Sequence, residues 1–287
     1  MATTGGNADV PLRFADLQGL HFEGEPLRLI GQQGIWTPKG FDTAFSIRTT
    51  FTPDDRRRPY EDQIDHLGIL KYKYRGTDPN QRENVVLRRA MTRGVGLVYF
   101  VGVASGVYLA RWPVWIVGDR PDLLEFDVAI DDDLRVFEFH EADRLDRARR
   151  RYAERVVEER LHQPVFRARV LQAYESSCAV CRLRHRELLD AAHILPDSHP
   201  RGEPIVQNGL ALCKIHHAAY DQNLLGIRPD YVVSVQASIM REKDGPMLRH
   251  GLQEMDGRKL HVPSSKGALP DRERLEERFE TFKDAAP

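Results

Sequence analysis

The chain has 287 residues, 41% hydrophobic and 30% charged, and a formal net charge of -1. A core rarely grows past about 250 residues, so this length and balance predict two domains of a soluble globular protein and exclude a disordered or fibrous one. Near-neutral charge excludes bulk attraction to a polyanion, which leaves any phosphate-binding surface to local patches.

The first ten residues, MATTGGNADV, are small and polar and read as a loose tail. They lack the basic-then-apolar order of a secretory signal, and no later apolar run reaches the roughly 18 residues that span a bilayer. The expected location is therefore the cytoplasm, with no membrane partner. From Leu12 to Phe139 short apolar and aromatic runs alternate with Gly, Pro and Asp clusters, the signature of strands: Phe45 to Ile47, Ile69 to Tyr74, Leu97 to Val103, Val107 to Leu109, Val114 to Val117 and Phe126 to Ile130. One helix is predicted over Asn84 to Thr92. There Val86 with Ala90 and Leu87 with Met91 form an apolar face opposite Arg88 and Arg89.

Within this half, PYEDQID, YRG, ENVVLRRAM and VYFVG occur in that order. The pattern over about residues 30 to 118 resembles the core of SRA domains, PUA-like barrels that flip a modified cytosine out of DNA, with Pro59 where that family has Gly. Base flipping needs an aromatic pocket to replace lost stacking and a polar group to read the base edge. The resemblance places Tyr60 and Tyr74 at the stacking positions; Asp62, Gln63 or Asp65 could read the edge, with Gln63 at the position of the usual carboxylate. As ordinary strand residues, the tyrosines have the alternative role of packing. Arg56, Arg57, Arg58 and Arg75 could hold phosphates around the nucleotide or solvate a loop.

From Glu141 to Arg160 the chain has neither Gly nor Pro, which predicts a helical connector. Between Asp143 and Arg169 nine Arg face five acids, a surplus of four, consistent with a solvated helix or with contact to a phosphate backbone. Further helices are expected over Pro164 to Tyr174, Ile215 to Gln222 and Asp271 to Phe282, and a strand over Val232 to Val235.

The three cysteines, an odd number, argue against a disulfide framework and for metal or redox work. Cys178-x2-Cys181 is followed after 31 residues by Cys213-x2-His216, two knuckles that can close a tetrahedral shell around zinc. Between and beside the knuckles lie LLDAAHILP, QNGLALC and HHAAYD, which carry His193, Asn208 and His217. Over residues 166 to 235 the chain closely resembles the HNH branch of the ββα-metal nucleases, in which a hairpin and a helix are pinned by a neighbouring zinc. The resemblance makes His193 the general base, Asn208 the brace of the hairpin backbone and His217 a ligand of a catalytic divalent ion (magnesium, manganese or another). Asp221, four residues on, shares the helical face of His217 and could add a ligand, or cap the helix or pair with Lys214. Many relatives have an acidic or histidine ligand directly before the base; here that position is Ala192, and Asp190, two residues earlier on the same strand face, could supply the oxygen.

The expected fold class is α+β: an SRA/PUA-like, β-rich barrel over 1–140, a charged helical linker over 141–165 and a zinc-stapled HNH domain over 166–287. The expected function is metal-dependent hydrolysis of double-stranded DNA, directed by the front domain to a modified base as in modification-dependent restriction endonucleases. Two rivals stand beside it: a nuclease for unmodified DNA, and a zinc-stabilised DNA-binding protein without catalysis, which Ala192 would favour. Cleavage of both strands would favour a homodimer.

Overall fold

The computed structural model describes residues 10–22, 24–51, 64–65, 69–130 and 162–285, with backbone alone at Phe22 and Glu25. The chain divides into two compact units, Met1–Val165 and Phe166–Pro287. The connector expected after Glu141 lies outside the described residues, as do Arg56, Arg57, Arg58, Tyr60, Asp62 and Gln63.

The front unit contains strands β1 (Leu12–Arg13), β2 (Leu20–Phe22), β3 (Glu25–Leu27), β4 (Ile35–Trp36), β5 (Ser46–Thr49), β6 (Ile69–Lys73), β7 (Leu97–Ala104), β8 (Val107–Arg120) and β9 (Glu125–Ala129), with helices α1 (Phe14–Gln18) and α2 (Arg82–Arg93). One mixed sheet runs in the order β4-β5-β7-β8-β9-β6, with β1 also on β8; β2 and β3 form a separate hairpin. Among the described residues of this sheet, β5 and β7 run parallel and the other pairs antiparallel. Period-two alternation sorts β6: Leu70 and Tyr72 are buried, whereas Lys71 and Lys73 reach Asp127 and Glu125 across the ladder at 2.8 and 2.7 Å.

The sheet is curled. Tyr72, on the β6 end, donates from its hydroxyl to Gly34 O at 2.9 Å, beside β4 at the other end. Among the described residues no backbone ladder joins β4 to β6, so the architecture is a curled mixed sheet. The predicted strands at Val107 to Leu109 and Val114 to Val117 prove to be one strand, β8. Pro113, read as punctuation, sits where the β7–β8 register shifts between Leu97 and Tyr99, a place where a missing N–H costs no ladder bond. Helix α2 presents Val86, Leu87 and Ala90 to the core and ends at Gly94, whose φ of 61° lets its N–H return to Ala90 O and Met91 O.

The second unit contains α3 (Gln163–Ala173) from Phe166 on, β10 (Leu189–His193), β11 (Gly209–Cys213), α4 (Lys214–Asp221), β12 (Leu225–Ile227), β13 (Val233–Val235), α5 (Ala237–Arg241), α6 (Pro246–Gly251) and α7 (Arg272–Asp284). Its sheets are two antiparallel ribbons, β10–β11 and β12–β13. The β10–β11 ribbon and α4 make a continuous strand–strand–helix unit because Cys213 ends the strand and is also the N-cap of the helix. Helix α3 lies so close to the ribbon that a Cβ at Gly209 would come 2.3 Å from Val170 Cγ2, a close approach only glycine permits. Phe166, Val170 and Leu171 of α3 join Leu189, Ala192, Leu210, Leu212 and Tyr220 in one buried cluster.

Candidate active site and metal centre

Cys178, Cys181, Cys213 and His216 converge with their ligand atoms all within 4.8 Å of one another. The chain turns sharply after the first knuckle: Arg182, at φ 62°, donates its N–H to Cys178 O, and Cys178 N–H donates to Leu183 O. The second knuckle is the join between β11 and α4. Cys178 Sγ lies 3.7 Å from His216 Nδ1, Cys213 Sγ 3.1 Å from it, and Cys181 Sγ 4.0 Å from Cys213 Sγ. A tetrahedral zinc about 2.3 Å from sulfur and 2.0–2.1 Å from nitrogen sets its ligands roughly 3.5–3.8 Å apart, so these residues fit that ion. His216 is oriented for it, since Nε2 donates to Gly251 O at 2.7 Å and leaves Nδ1 toward the sulfurs. Cys178 and then Cys181 hydrogen-bond to Cys213 and hold its thiol well below the ordinary range. Bonds to Cys178 and Cys213 push Cys181 up.

Next to His216, on the outward side of α4, His217 stands between two carboxylates. Its Nδ1 is 3.4 Å from Asp190 Oδ2 and its Nε2 is 3.4 Å from Asp221 Oδ2. The structure therefore brings together the three residues expected around a catalytic ion, with each carboxylate on a different imidazole nitrogen. One nitrogen can bind a cation while the other donates to its carboxylate, the usual arrangement of a histidine ligand. Asp190 is further held by Lys214 Nζ at 2.5 Å and approached by Arg167 Nε at 3.7 Å. Burial pushes the Asp190 carboxyl up, but Lys214 and then His217 outweigh it and hold the group below its ordinary value.

Lys214 thus pairs with Asp190, not with Asp221. Asp190 is registered with Leu212, two residues before Lys214, whereas Asp221 lies two helical turns away, about 10 Å along the axis. Sequence reasoning missed Arg167, which entered only as part of the basic surplus, and Phe166. The Phe166 ring stacks on His193 at 4.1 Å and 18°, fixing the plane of the imidazole at the end of β10. Asn208 is fully buried: its Oδ1 accepts from Leu195 N–H, and its Nδ2 donates to Leu195 O and Glu203 O. It closes the loop that follows His193.

In the front unit Tyr74 is 8% exposed; its ring stacks on Phe126 at 4.5 Å and its hydroxyl meets Asp119 and Arg88. Burial, with the Asp119 carboxylate, pushes its hydroxyl up. Asp65 accepts from Ile69 N–H and pairs with Lys71 at 2.7 Å. The side chain of Arg75 is exposed, while its backbone N–H and C=O are both bonded by Asn84.

Residues 178–228 match the family model described as HNH endonuclease. The chain carries an HNH endonuclease domain and is a nuclease. That domain spans the first zinc knuckle, the β10–β11 ribbon, α4 and β12. A solved structure titled modification-dependent TagI restriction endonuclease is similar to 87% of this chain and covers 85% of its own, at 16% identity and a TM-score of 0.30. Comparison with curated proteins finds no match. Among the described residues no helix is long and apolar enough to cross a membrane.

Proposed function

We propose that the protein hydrolyses phosphodiester bonds of double-stranded DNA, with His193 as general base and a divalent ion held by His217 with Asp190 or Asp221. The observation that carries this is the Asp190–His217–Asp221 group on the same ribbon-and-helix frame as His193. When bound, the ion neutralises charge that builds on the scissile phosphate. His193 takes the proton of the attacking water as the oxygen–phosphorus bond forms and the opposite phosphorus–oxygen bond breaks. Phe166 keeps the imidazole plane from turning, and Asn208 keeps the following loop from drawing the base away. Zinc at Cys178, Cys181, Cys213 and His216 holds ribbon and helix together.

The front unit, in this proposal, directs cleavage to DNA carrying a modified base, on the SRA-like order of PYEDQID, YRG, ENVVLRRAM and VYFVG. Tyr60 stacks on the extruded base; Tyr74, expected at the second stacking position, already has its ring stacked on Phe126, which leaves that role to Tyr60. Asp62, Gln63 and Asp65 read the base edge; Arg56, Arg57, Arg58 and Arg75 hold phosphates. The domains of this reading are 1–140, 141–165 and 166–287, and cutting both strands would favour a homodimer.

The test is incubation with matched unmodified, methylated and hydroxymethylated duplexes in magnesium, manganese and other divalent ions. Cleavage restricted to modified duplexes supports the whole reading. Equal cleavage of every duplex leaves the nuclease and removes the modification dependence.

A further inference from the structure

The front unit contains a cavity of about 560 Å³ between the end of α1, the segment 28–37 and the first turn of α2. That size lies within the roughly 300–1,000 Å³ of small-molecule sites. Ile30, Ile35 and Val86 give it an apolar floor. Trp36 lines it on a backbone shaped for the indole: a Cβ at Gly31 would lie 2.3 Å from Trp36 Cε3. The indole N–H donates to Arg28 O at 2.8 Å, so its polar edge is used and what it can offer a ligand is ring surface. The loop is held from behind, since Arg48 donates to Gln32 O and Tyr72 to Gly34 O.

The remaining lining, Thr37 apart, has planar polar side chains. Gln18, Gln32 and Gln33 each carry a donor and an acceptor, the groups that pair with the edge of a heterocycle. Arg28 and Arg82 add two guanidiniums against one carboxylate, Glu83, a surplus of one positive charge that matches one phosphate better than a chain of three. Helix α2 has twelve residues, and its N-cap, Gln81, makes no side-chain cap bond. Arg82 and Glu83 of its first turn line the cavity.

We propose that this cavity binds a nucleotide, with the base against Trp36, its edge on the glutamines and its phosphate on Arg28 and Arg82. None of these residues belongs to the pocket argued above from Tyr60 and Tyr74. The nucleotide has two sources: one extruded from a duplex, which rests on the proposed reading of the front unit as the DNA reader but seats the base on Trp36 in place of Tyr60, or a free mononucleotide, which does not rest on it.

The experiment uses the full-length chain with His193→Ala and no added divalent ion, so that cleavage is suppressed. It measures affinity for free dCMP and 5-methyl-dCMP, and for matched unmodified and methylated duplexes. Trp36→Ala is expected to weaken the nucleotide-dependent binding about tenfold or more, the usual effect of losing one base-stacking ring. Trp36→Phe should retain most of it, and Arg28→Gln or Arg82→Gln should weaken it with a shallower salt dependence. Where Trp36→Ala does not fold, by its thermal melt, Trp36→Phe and the arginine variants carry the test. Trp36-dependent binding of free mononucleotides supports the proposal with the free source, even if the parent treats all duplexes alike and the modified-base reading falls. Trp36-dependent preference for the methylated duplex, without mononucleotide binding, supports it with the DNA source. If every cavity variant binds as the parent does while Tyr60→Ala abolishes the methylated preference, the proposal is overturned and the modified-base reading stands. No binding of mononucleotides and no duplex preference in the parent overturns both.

Discussion

Asn84 in the front unit and Asn208 in the HNH unit are used in the same way. Each is fully buried, accepts a hydrogen bond from the N–H of one loop residue, Arg75 or Leu195, and donates to the C=O of that residue. Each also donates to one further carbonyl, of Asp78 or Glu203. Their surroundings differ. The loop behind Asn84 leads into a helix packed over a seven-stranded sheet. The loop behind Asn208 leads into a two-stranded ribbon, which alone is marginal in water. That second loop is tied from outside: Arg274 pairs with Glu203 at 2.8 Å, His199 with Glu277 at 2.9 Å, and Asp271 N–H donates to Gln207 O at 2.9 Å. One unit is held by sheet area and the other by ties, among them the Cys178, Cys181, Cys213 and His216 cluster that a zinc ion would close.

The largest effect that could break this contrast is loss of the metal. Zinc bound by such a cluster contributes roughly 10–16 kcal/mol, as much as the whole stability of about 5–15 kcal/mol of a typical domain. Cys213→Ala is expected to unfold residues 166–287 and leave the front unit folded. Limited proteolysis with mass spectrometry reads this, and a protected HNH unit without zinc would reverse the contrast. Next in size is catalysis. His193→Ala should reduce cleavage by about 10²–10⁴-fold while DNA binding persists, measured by single-turnover cleavage beside a mobility shift; wild-type turnover would assign the base elsewhere.

The asparagines sharpen the comparison directly. Replacing either with alanine leaves buried backbone groups unpaired, at about 1–3 kcal/mol for each group. Asn208→Ala should lower the HNH unit's calorimetric transition and also its cleavage rate, whereas Asn84→Ala should lower the front unit's transition alone. A shared drop in one transition would show that the two units melt together.

The smallest expected effect concerns acid. Burial pushes the Asp127 carboxyl up, yet Lys71 and Arg120, at 2.8 and 2.5 Å, outweigh it and hold the group below its ordinary value. A carboxyl with a lowered folded pKa stabilises the fold above its unfolded value of about 3.9, and the contribution disappears as pH falls through the lower folded value. Asp127→Asn should therefore cost about 1 kcal/mol or less from pH 5 to 7, and the gap in urea midpoint should close in stronger acid. A gap that widened there would reverse the assigned sign.

The HNH unit was the more legible of the two in the sequence, because its residue types and spacings are set by ligand chemistry. CAVC and the Cys213-x2-His216 knuckle meet in space as their spacing predicts. Of the alternatives open for Asp221, pairing with Lys214 is the one the fold removes, because the partner of Lys214 lies across a strand register that sequence spacing does not display. In the front unit, β1 to β4 are two or three residues long, too short for alternation to register, and Pro113 masked the continuity of β8. Tyr74 shows the same limit: alternation predicts a strand face, but only the fold gives Phe126 as its neighbour. The cavity at Trp36 has no spacing signature, since it joins the end of α1, a loop and a helix start from separate parts of the chain.

Neighbouring histidines on α4 have a mechanical consequence. His216 is 2% exposed and turned to the sulfurs, while the side chain of His217 is 27% exposed and turned to Asp190 and Asp221. Consecutive residues of an α-helix point about 100° apart, so the two imidazoles fix the helix in screw phase like two teeth of one key. The helix cannot roll to improve one set of contacts without spoiling the other. One residue inserted between them would swing His217 through a further 100° and disengage it, even with all four zinc ligands still in the chain.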